Sequence, residues 1–241
     1  MDISVVVPLY NEAESLPELA AWIERVMAEH HFTYEVILVD DGSTDGSWAV
    51  IRDLHAKNAA FRGIKFRRNY GKSAALNTAF EACRGDVVIT MDADLQDPPK
   101  LLSEMLRRIE SGECDIVGSR RVTRKGEPPI RSFFARMFYK LMAKISSADI
   151  VDGARDFQMM RREVVDAILS MGEYNRFSKG IFGWVGFKKT WLEYENVERS
   201  AGETKWNFWS LFLYALDGII AFSTAPLVLS SLLGIMFCLA A

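Results

Sequence analysis

The run Thr90-Met91-Asp92-Ala93-Asp94-Leu95-Gln96-Asp97 sets two carboxylates, one residue apart, at the end of an apolar stretch. Gly85 to Met91 reads as a buried strand, short and rich in β-branched residues. Side chains alternate faces along a strand, so Asp92 and Asp94 are expected to point the same way. Two carboxylates at a strand's carboxyl end make a poor core and a good site for a hard cation. Mg²⁺ takes oxygen ligands and commonly links carboxylates to a substrate's phosphates. Asp-x-Asp by itself also suits a solvated turn with chance acids, and the company it keeps decides between the two.

That company is a set of alternating elements. Ile3 to Pro8 is expected to be a strand, and Glu14 to Glu29 carries Leu16, Leu19, Ile23, Val26 and Met27 at helical spacing. Glu35 to Val39 follows as a strand, Ser47 to Ala56 as a short helix, Gly63 to Phe66 as a strand and Lys72 to Cys83 as a helix. After Asp92, Pro98 and Pro99 open a helix from Lys100 to Ser111, since proline suits a first helical turn; Asp97 is placed to cap it. Asp115 to Ser119 is a further strand. Strands alternating with helices imply a parallel, doubly wound sheet, whose ligands sit at the carboxyl ends of the strands. Three of these ends carry polar, turn-forming chemistry: Pro8-Leu9-Tyr10-Asn11-Glu12, Asp40 to Asp45, and Asp92-Ala93-Asp94. Their convergence favours a site over a chance turn.

The chain has 241 residues, enough for one large α/β domain, and a net charge of −3, which gives no global attraction to nucleic acid. Cys83, Cys114 and Cys238 show neither zinc spacing nor a disulfide framework, as in a reducing compartment. Met1-Asp2-Ile3-Ser4 runs straight into a strand, with no signal peptide ahead of it. His30, His31 and His55 read as surface residues. From Arg120 to Lys144 the chain is strongly basic, with Glu127 the sole acid, a patch suited to phosphate or lipid headgroups.

The second half is less regular. Arg131 to Ser147 reads as an amphipathic helix with Phe133, Phe134, Met137, Phe138, Leu141, Met142 and Ile145 on one side and Arg136, Lys140 and Lys144 on the other. Such a helix can face a core or lie in a membrane interface. Trp206 to Tyr214 adds an aromatic cluster of the kind found at bilayer boundaries. Gly218 to Ala241 has no charged residue and reads as the start of a membrane span that begins or kinks at Pro226, or else as a buried core helix. Lys188, Lys189, Arg199 and Lys205 before it would keep the preceding domain on the cytoplasmic side. Residues 1–130, 131–217 and 218–241 are thus expected to form a donor-binding half, an acceptor-binding half with interface helices, and a membrane region.

The ordered motifs VVVPLYNE, LVDDGSTDGS, NYGKSAALNTAF and MDADLQDPP resemble glycosyltransferase family 2. Further on, GARDFQMMRR, NRFSKGIFGWVGF, RSAGETKWNFW and LDGIIAFSTAPL are similar to its polyprenyl-phosphate hexose transferases, the group of dolichyl-phosphate mannose synthase and bactoprenol glucosyltransferase. The resemblance covers nearly the whole chain. It implies a GT-A nucleotide-sugar fold with a mostly parallel sheet flanked by helices, amphipathic interface helices and a C-terminal transmembrane helix that is truncated in this chain. It also implies inverting transfer of glucose or N-acetylglucosamine from a UDP-sugar to polyprenyl (undecaprenyl) phosphate. That reaction would use Mg²⁺ or Mn²⁺ at the cytoplasmic face of the inner membrane, in a chain that can form tetramers.

Carried onto these positions, the resemblance implies that Pro8, Tyr10 and Glu12 line the nucleotide pocket and that Asp40 or Asp41 reads the uracil edge. Gly71, Lys72, Asp92 and Ala93 complete the donor site, and Asp92, Asp94 and Gln96 hold the metal. Asp156 matches the acid near the sugar and the acceptor phosphate, and with Asp94 is the candidate catalytic pair. Arg131, Arg136, Gln158, Arg199, Thr204 and Lys205 are the acceptor-phosphate candidates. Relatives carry arginine where this chain has Gln158, and Arg155 or Arg161 are possible substitutes. A processive polysaccharide synthase would show Gln-x-x-Arg-Trp, whereas Gln158 to Arg162 lacks the tryptophan. A transferase with a non-lipid acceptor and a membrane-tethered nucleotide-sugar sensor are the other readings.

Overall fold

A computed structural model describes residues 1–96, 101–122, 136–137, 139–142, 144–146, 151–172, 178–195, 215–216 and 218–240. The chain divides into two units. The first comprises Met1–Thr123, Gly153–Gly172 and Phe187–Glu203; the second comprises Arg124–Asp152, Glu173–Gly186 and Thr204–Ala241.

The first unit is built on a sheet in the order β3-β2-β1-β4-β6-β5-β7. Its strands are β1 (Ile3–Leu9), β2 (Tyr34–Asp40), β3 (Phe61–Lys65), β4 (Val87–Thr90), β5 (Ile116–Arg121), β6 (Ala154–Arg161) and β7 (Lys189–Tyr194). β1, β2, β3 and β4 pair in parallel, as do β5 and β7, and β6 runs antiparallel between β4 and β5. Helices α1 (Leu16–His30), α2 (Ser47–Lys57), α3 (Lys72–Ala82), α4 (Leu101–Glu110) and α5 (Arg162–Ser170) supply the flanking layers.

Both faces of β1 are buried along its whole length, so it reads as a continuous apolar run rather than an alternation. Ile3, Val5, Val7 and Leu9 join one core with Leu16, Leu19 and Ile23 of α1 and Leu102, Met105 and Ile109 of α4. Each such side chain, fully buried, contributes about 1.5–3 kcal/mol. Alternation sends Val6, Ile37 and Val39 to the other face, where α3 buries Ala75, Leu76, Ala79 and Phe80.

The strand expected through Met91 stops at Thr90. Asp92 and Asp94 therefore lie in a turn, where strand alternation no longer sets their directions. Asp94 Oδ1 accepts the Gln96 amide at 3.2 Å, a local bond that competes with continuing the ladder. The sheet also gains two strands that the pattern did not announce, β6 and β7.

In the second unit, the described residues between 136 and 145 are helical. Met142 is buried, packed by Tyr139, Ile145, Ile219 and Phe222. Met137 and Leu141 instead share the exposed side with Arg136, Lys140 and Lys144, so the apolar face is narrower than expected.

The expected C-terminal membrane span is not found. The helix Ala225–Ala240 has 16 residues, starts with Pro226 in its first turn, and buries none of its side chains. Ser223 and Thr224 interrupt the helix before it. No helix among the described residues is long and apolar enough to cross a membrane.

Candidate active site

Four loops meet at the carboxyl edge of β1, β2 and β4. The first two are clasped together. Asn11 and Glu12 donate their amides to Ser43 Oγ and Ser47 Oγ, each at 2.9 Å, and Ala13 donates to Asp45 Oδ2 at 3.2 Å. Thr44 returns its amide to Asn11 Oδ1 at 2.8 Å. Pro8 is buried beneath this clasp; Tyr10 and Glu12 are half-buried at its rim.

Asp40 and Asp41 have different tasks. Asp41 accepts the amides of Tyr70 at 2.7 Å and Gly71 at 2.9 Å, which fixes the loop leading into α3. Burial raises its pKa above the usual carboxylate value, and its proximity to Asp40 adds to the rise against those two amides. Asp40 Oδ1 takes the Ser43 amide at 2.7 Å, while its buried Oδ2 meets no hydrogen-bond donor among the described residues. Gly42 has φ +74°, and a Cβ there would fall 2.4 Å from the Arg68 backbone. The turn after Asp41 therefore requires glycine, both for its left-handed backbone and for the close approach.

The candidate chemical centre lies where β4 and β6 run side by side. Thr90 pairs with Gln158, and continuing that antiparallel register sets Asp92 opposite Asp156. Thr90 Oγ1 donates to the Asp156 carbonyl and holds the two strand ends together. Lys72, the first residue of α3, donates to Asp92 Oδ1 and to Asp156 Oδ2, both at 2.5 Å. Burial by itself would lower the Lys72 pKa, but the negative charges of Asp156 and Asp92 outweigh it and raise it above the ordinary lysine value. Its side chain is 35% exposed, within reach of a ligand.

Asp94 is 8% exposed and Ala93 is buried beside it. Gln96 Oε1 accepts a hydrogen bond from Arg155 at 3.1 Å. The turn thus offers two carboxylates and an amide oxygen, all hard donors. That donor chemistry fits Mg²⁺ or Mn²⁺, and Asp92 already attracts one positive charge from Lys72. Among the described residues, no three or more His, Cys, Asp or Glu side chains gather as a metal cluster. Gln96 would therefore be needed beside Asp92 and Asp94.

The acceptor-side candidates separate. Gln158 is 1% exposed; its amide donates to the Arg155 carbonyl at 3.1 Å and accepts Lys189 Nζ at 2.9 Å. Lys189 also lies 4.2 Å from the centre of the Trp191 ring. Of the two arginines considered as substitutes, Arg155 is tied to Gln96 beside the acids. Arg161 turns to the Ile109 carbonyl and Asp115 at the far end of β6. Arg136 is exposed in the second unit. Arg131, Arg199, Thr204 and Lys205 lie outside the described residues. Lys189 was read in the sequence only as part of a basic flank. The signal that would have placed it is the alternation of Lys189, Trp191 and Glu193 with Thr190, Leu192 and Tyr194, which marks a strand.

A mostly parallel α/β sheet with acids gathered at its carboxyl edge is the architecture of a GT-A-type nucleotide-sugar fold. Residues 4–169 match the family described as Glycosyl transferase family 2, and the chain belongs to that family. It is 40% identical over 237 residues to the putative glycosyltransferase CsbB of Bacillus subtilis, covering 98% of this chain and 71% of that one. It is 36% identical over 236 residues to the prophage bactoprenol glucosyl transferase homolog of Escherichia coli, covering 98% and 77%. Among solved structures, glucosyl-3-phosphoglycerate synthase from Mycobacterium tuberculosis in complex with UDP aligns with a TM-score of 0.58 at 17% identity, over 89% of this chain and 76% of that one. A mannosyltransferase from Pyrobaculum calidifontis in complex with GDP-Man and Mn²⁺ aligns with a TM-score of 0.56 at 21% identity, over 83% and 57%. The structural likenesses speak to the fold; the sequence relationships make this chain a glycosyltransferase.

Proposed function

We propose that the chain moves a hexose, glucose or N-acetylglucosamine, from a UDP-sugar to a polyprenyl phosphate at the cytoplasmic face of the inner membrane, with inversion at the anomeric carbon. The observation that carries this reading is Lys72 joining Asp92 of the donor turn to Asp156 of β6 at 2.5 Å each. One cation and two acids from separate strands meet where donor and acceptor would. The bactoprenol glucosyl transferase named among the relatives supports a lipid acceptor.

The rim formed by Tyr10, Asp40, Asp41 and Gly71 would take the nucleoside, and Lys72 and the amino end of α3 would face its diphosphate. A divalent ion held by Asp92, Asp94 and Gln96 would supply positive charge to the leaving diphosphate. The acceptor oxygen needs little activation, because a phosphate monoester has a second pKa of about 6 and is largely ionised near neutrality. The harder task is to hold two anionic groups together, which suits Lys72, Arg155 and Lys189 near the acids. Asp156 then orients the acceptor and balances Lys72 rather than acting as an obligatory base.

A membrane setting is supported by the second unit. Ala225–Ala240 exposes its apolar side chains, up to 83% at Leu239, and Arg136, Lys140 and Lys144 lie exposed beside Met137 and Leu141. Large exposed apolar surfaces mark interaction sites, and basic residues beside them favour anionic headgroups.

The test offers radiolabelled UDP- and GDP-sugars to the purified chain with undecaprenyl phosphate and Mg²⁺ or Mn²⁺. Label from a UDP-hexose passing into a butanol-extractable lipid is expected. Label only in a water-soluble product would overturn the lipid acceptor, and transfer only from GDP-sugars would overturn the donor.

A further inference from the structure

Lys72 occupies an unusual position. It is the first residue of α3, where the helix dipole is positive and disfavours a cation. Two carboxylates hold it there, Asp92 and Asp156, each 2.5 Å from Nζ. Asp92 is also one of the oxygen donors that fit a divalent ion. An ammonium bonded to Asp92 and a divalent cation bonded to the same carboxylate would repel one another at short range.

We infer that Lys72 is a latch on the metal-binding carboxylate: its ammonium holds Asp92 against Asp156 until a nucleoside diphosphate draws it away and frees Asp92 for the cation. The inference rests on the nucleotide-sugar reading above and deepens it, giving Lys72 a positioning role. The amino end of α3 attracts the diphosphate, and Lys72, being partly exposed, can follow it. One ammonium then exchanges a carboxylate for a phosphate oxygen, and the cation takes the released carboxylate. Asp156 gives up its share of the ammonium in the exchange, and the incoming cation beside it supplies positive charge in its place. The consequence is ordered assembly: the cation binds weakly to the free protein and tightly once the nucleotide is present.

Mn²⁺ binding to the purified full chain, followed by the paramagnetic resonance signal of free Mn²⁺ with and without saturating UDP and read against the same Mn²⁺ and UDP without protein, tests this without any turnover. In the wild type, UDP is expected to tighten Mn²⁺ binding by about tenfold or more, within the usual range of coupling between sites. Lys72→Met should bind Mn²⁺ without UDP about tenfold more tightly than wild type, and UDP should tighten it further by several-fold less than it does in wild type. Lys72→Arg, which keeps the charge, should retain most of the coupling. Lys72→Gln repeats the test if the methionine variant loses its cooperative thermal transition. Wild-type coupling that persists unchanged in Lys72→Met and Lys72→Gln would overturn the latch and leave the donor reading intact. A wild-type chain that binds neither UDP nor Mn²⁺ would overturn both.

Discussion

Two charge clusters stand at opposite edges of the same sheet. At the amino edge, Glu35 Oε1 accepts Ser4 Oγ at 2.8 Å and the Arg84 amide at 2.6 Å, and its Oε2 meets Arg62 at 2.6 Å. At the carboxyl edge, Lys72 is shared by Asp92 and Asp156. The first cluster balances one acid with one base and fills the remaining acceptor capacity with neutral donors. The second shares one base between two acids from different parts of the chain, with Asp94 close in sequence. A carboxylate enclosed by neutral donors and one base joins strands; a half-exposed ammonium shared between two carboxylates can exchange partners with a ligand.

Substitutions at the two edges should separate activity from stability. Asp92→Ala and Asp94→Ala are expected to lower turnover by about 10²–10³-fold, the scale seen when one electrostatic contact to a developing charge is removed. Their unfolding midpoints should stay close to wild type; a large loss of stability with normal turnover per folded molecule would reverse the assignment of the edges. Glu35→Ala should do the opposite. It strands Arg62 and the Arg84 amide and should cost about 2–3 kcal/mol in urea unfolding, while the folded fraction keeps its activity.

The pH dependence of the amino edge is a finer test. Burial alone would raise the Glu35 pKa, but hydrogen bonds from Ser4, Arg62 and Arg84 bring it below its ordinary value of 4.5. A depressed carboxylate pKa gives stability that is present above the unfolded value and lost as pH falls through the folded one. The gap between wild type and Glu35→Gln in urea should therefore be wide near neutrality and shrink below about pH 4. A smaller effect is expected from Ser43→Ala, which removes the acceptor for the Asn11 amide: about 1 kcal/mol of stability and a modest rise in KM for the donor. Smallest of all, Glu104→Gln should leave the thermal midpoint unchanged. Its bonds to Arg107 and Arg108 lie at the surface, where such pairs contribute little.

The first half of the fold was legible because each element carries its own signal. α1 repeats its buried positions at helical spacing, and β1 and β2 are unbroken apolar runs between polar turns. β6 was not read as a strand. Its Phe157 and Met159 do alternate with Asp156 and Gln158, but the polar members belong to the site and hide the pattern. Its partners β4 and β5 are also distant in sequence, and only the folded sheet sets Asp156 across from Asp92. The expected membrane span shows a different limit. Composition registered the apolar run of 218–241, but not the break at Ser223 and Thr224 that divides it. Asp92 and Asp94 were singled out by motif, but the strand ends at Thr90 and alternation is the wrong reason for expecting them together.

The reciprocal bonds between the loop after β1 and the loop after β2 have a thermodynamic meaning. Asn11 both gives an amide to Ser43 and takes one from Thr44, so neither loop can rearrange without breaking the other's contacts. The proposed nucleoside rim would thereby be shaped before any donor arrives. Little backbone entropy remains to be lost on docking, and more of the contact energy appears as affinity. In the proposed latch, the long side chain of Lys72 would change partners while the clasped loops stay still.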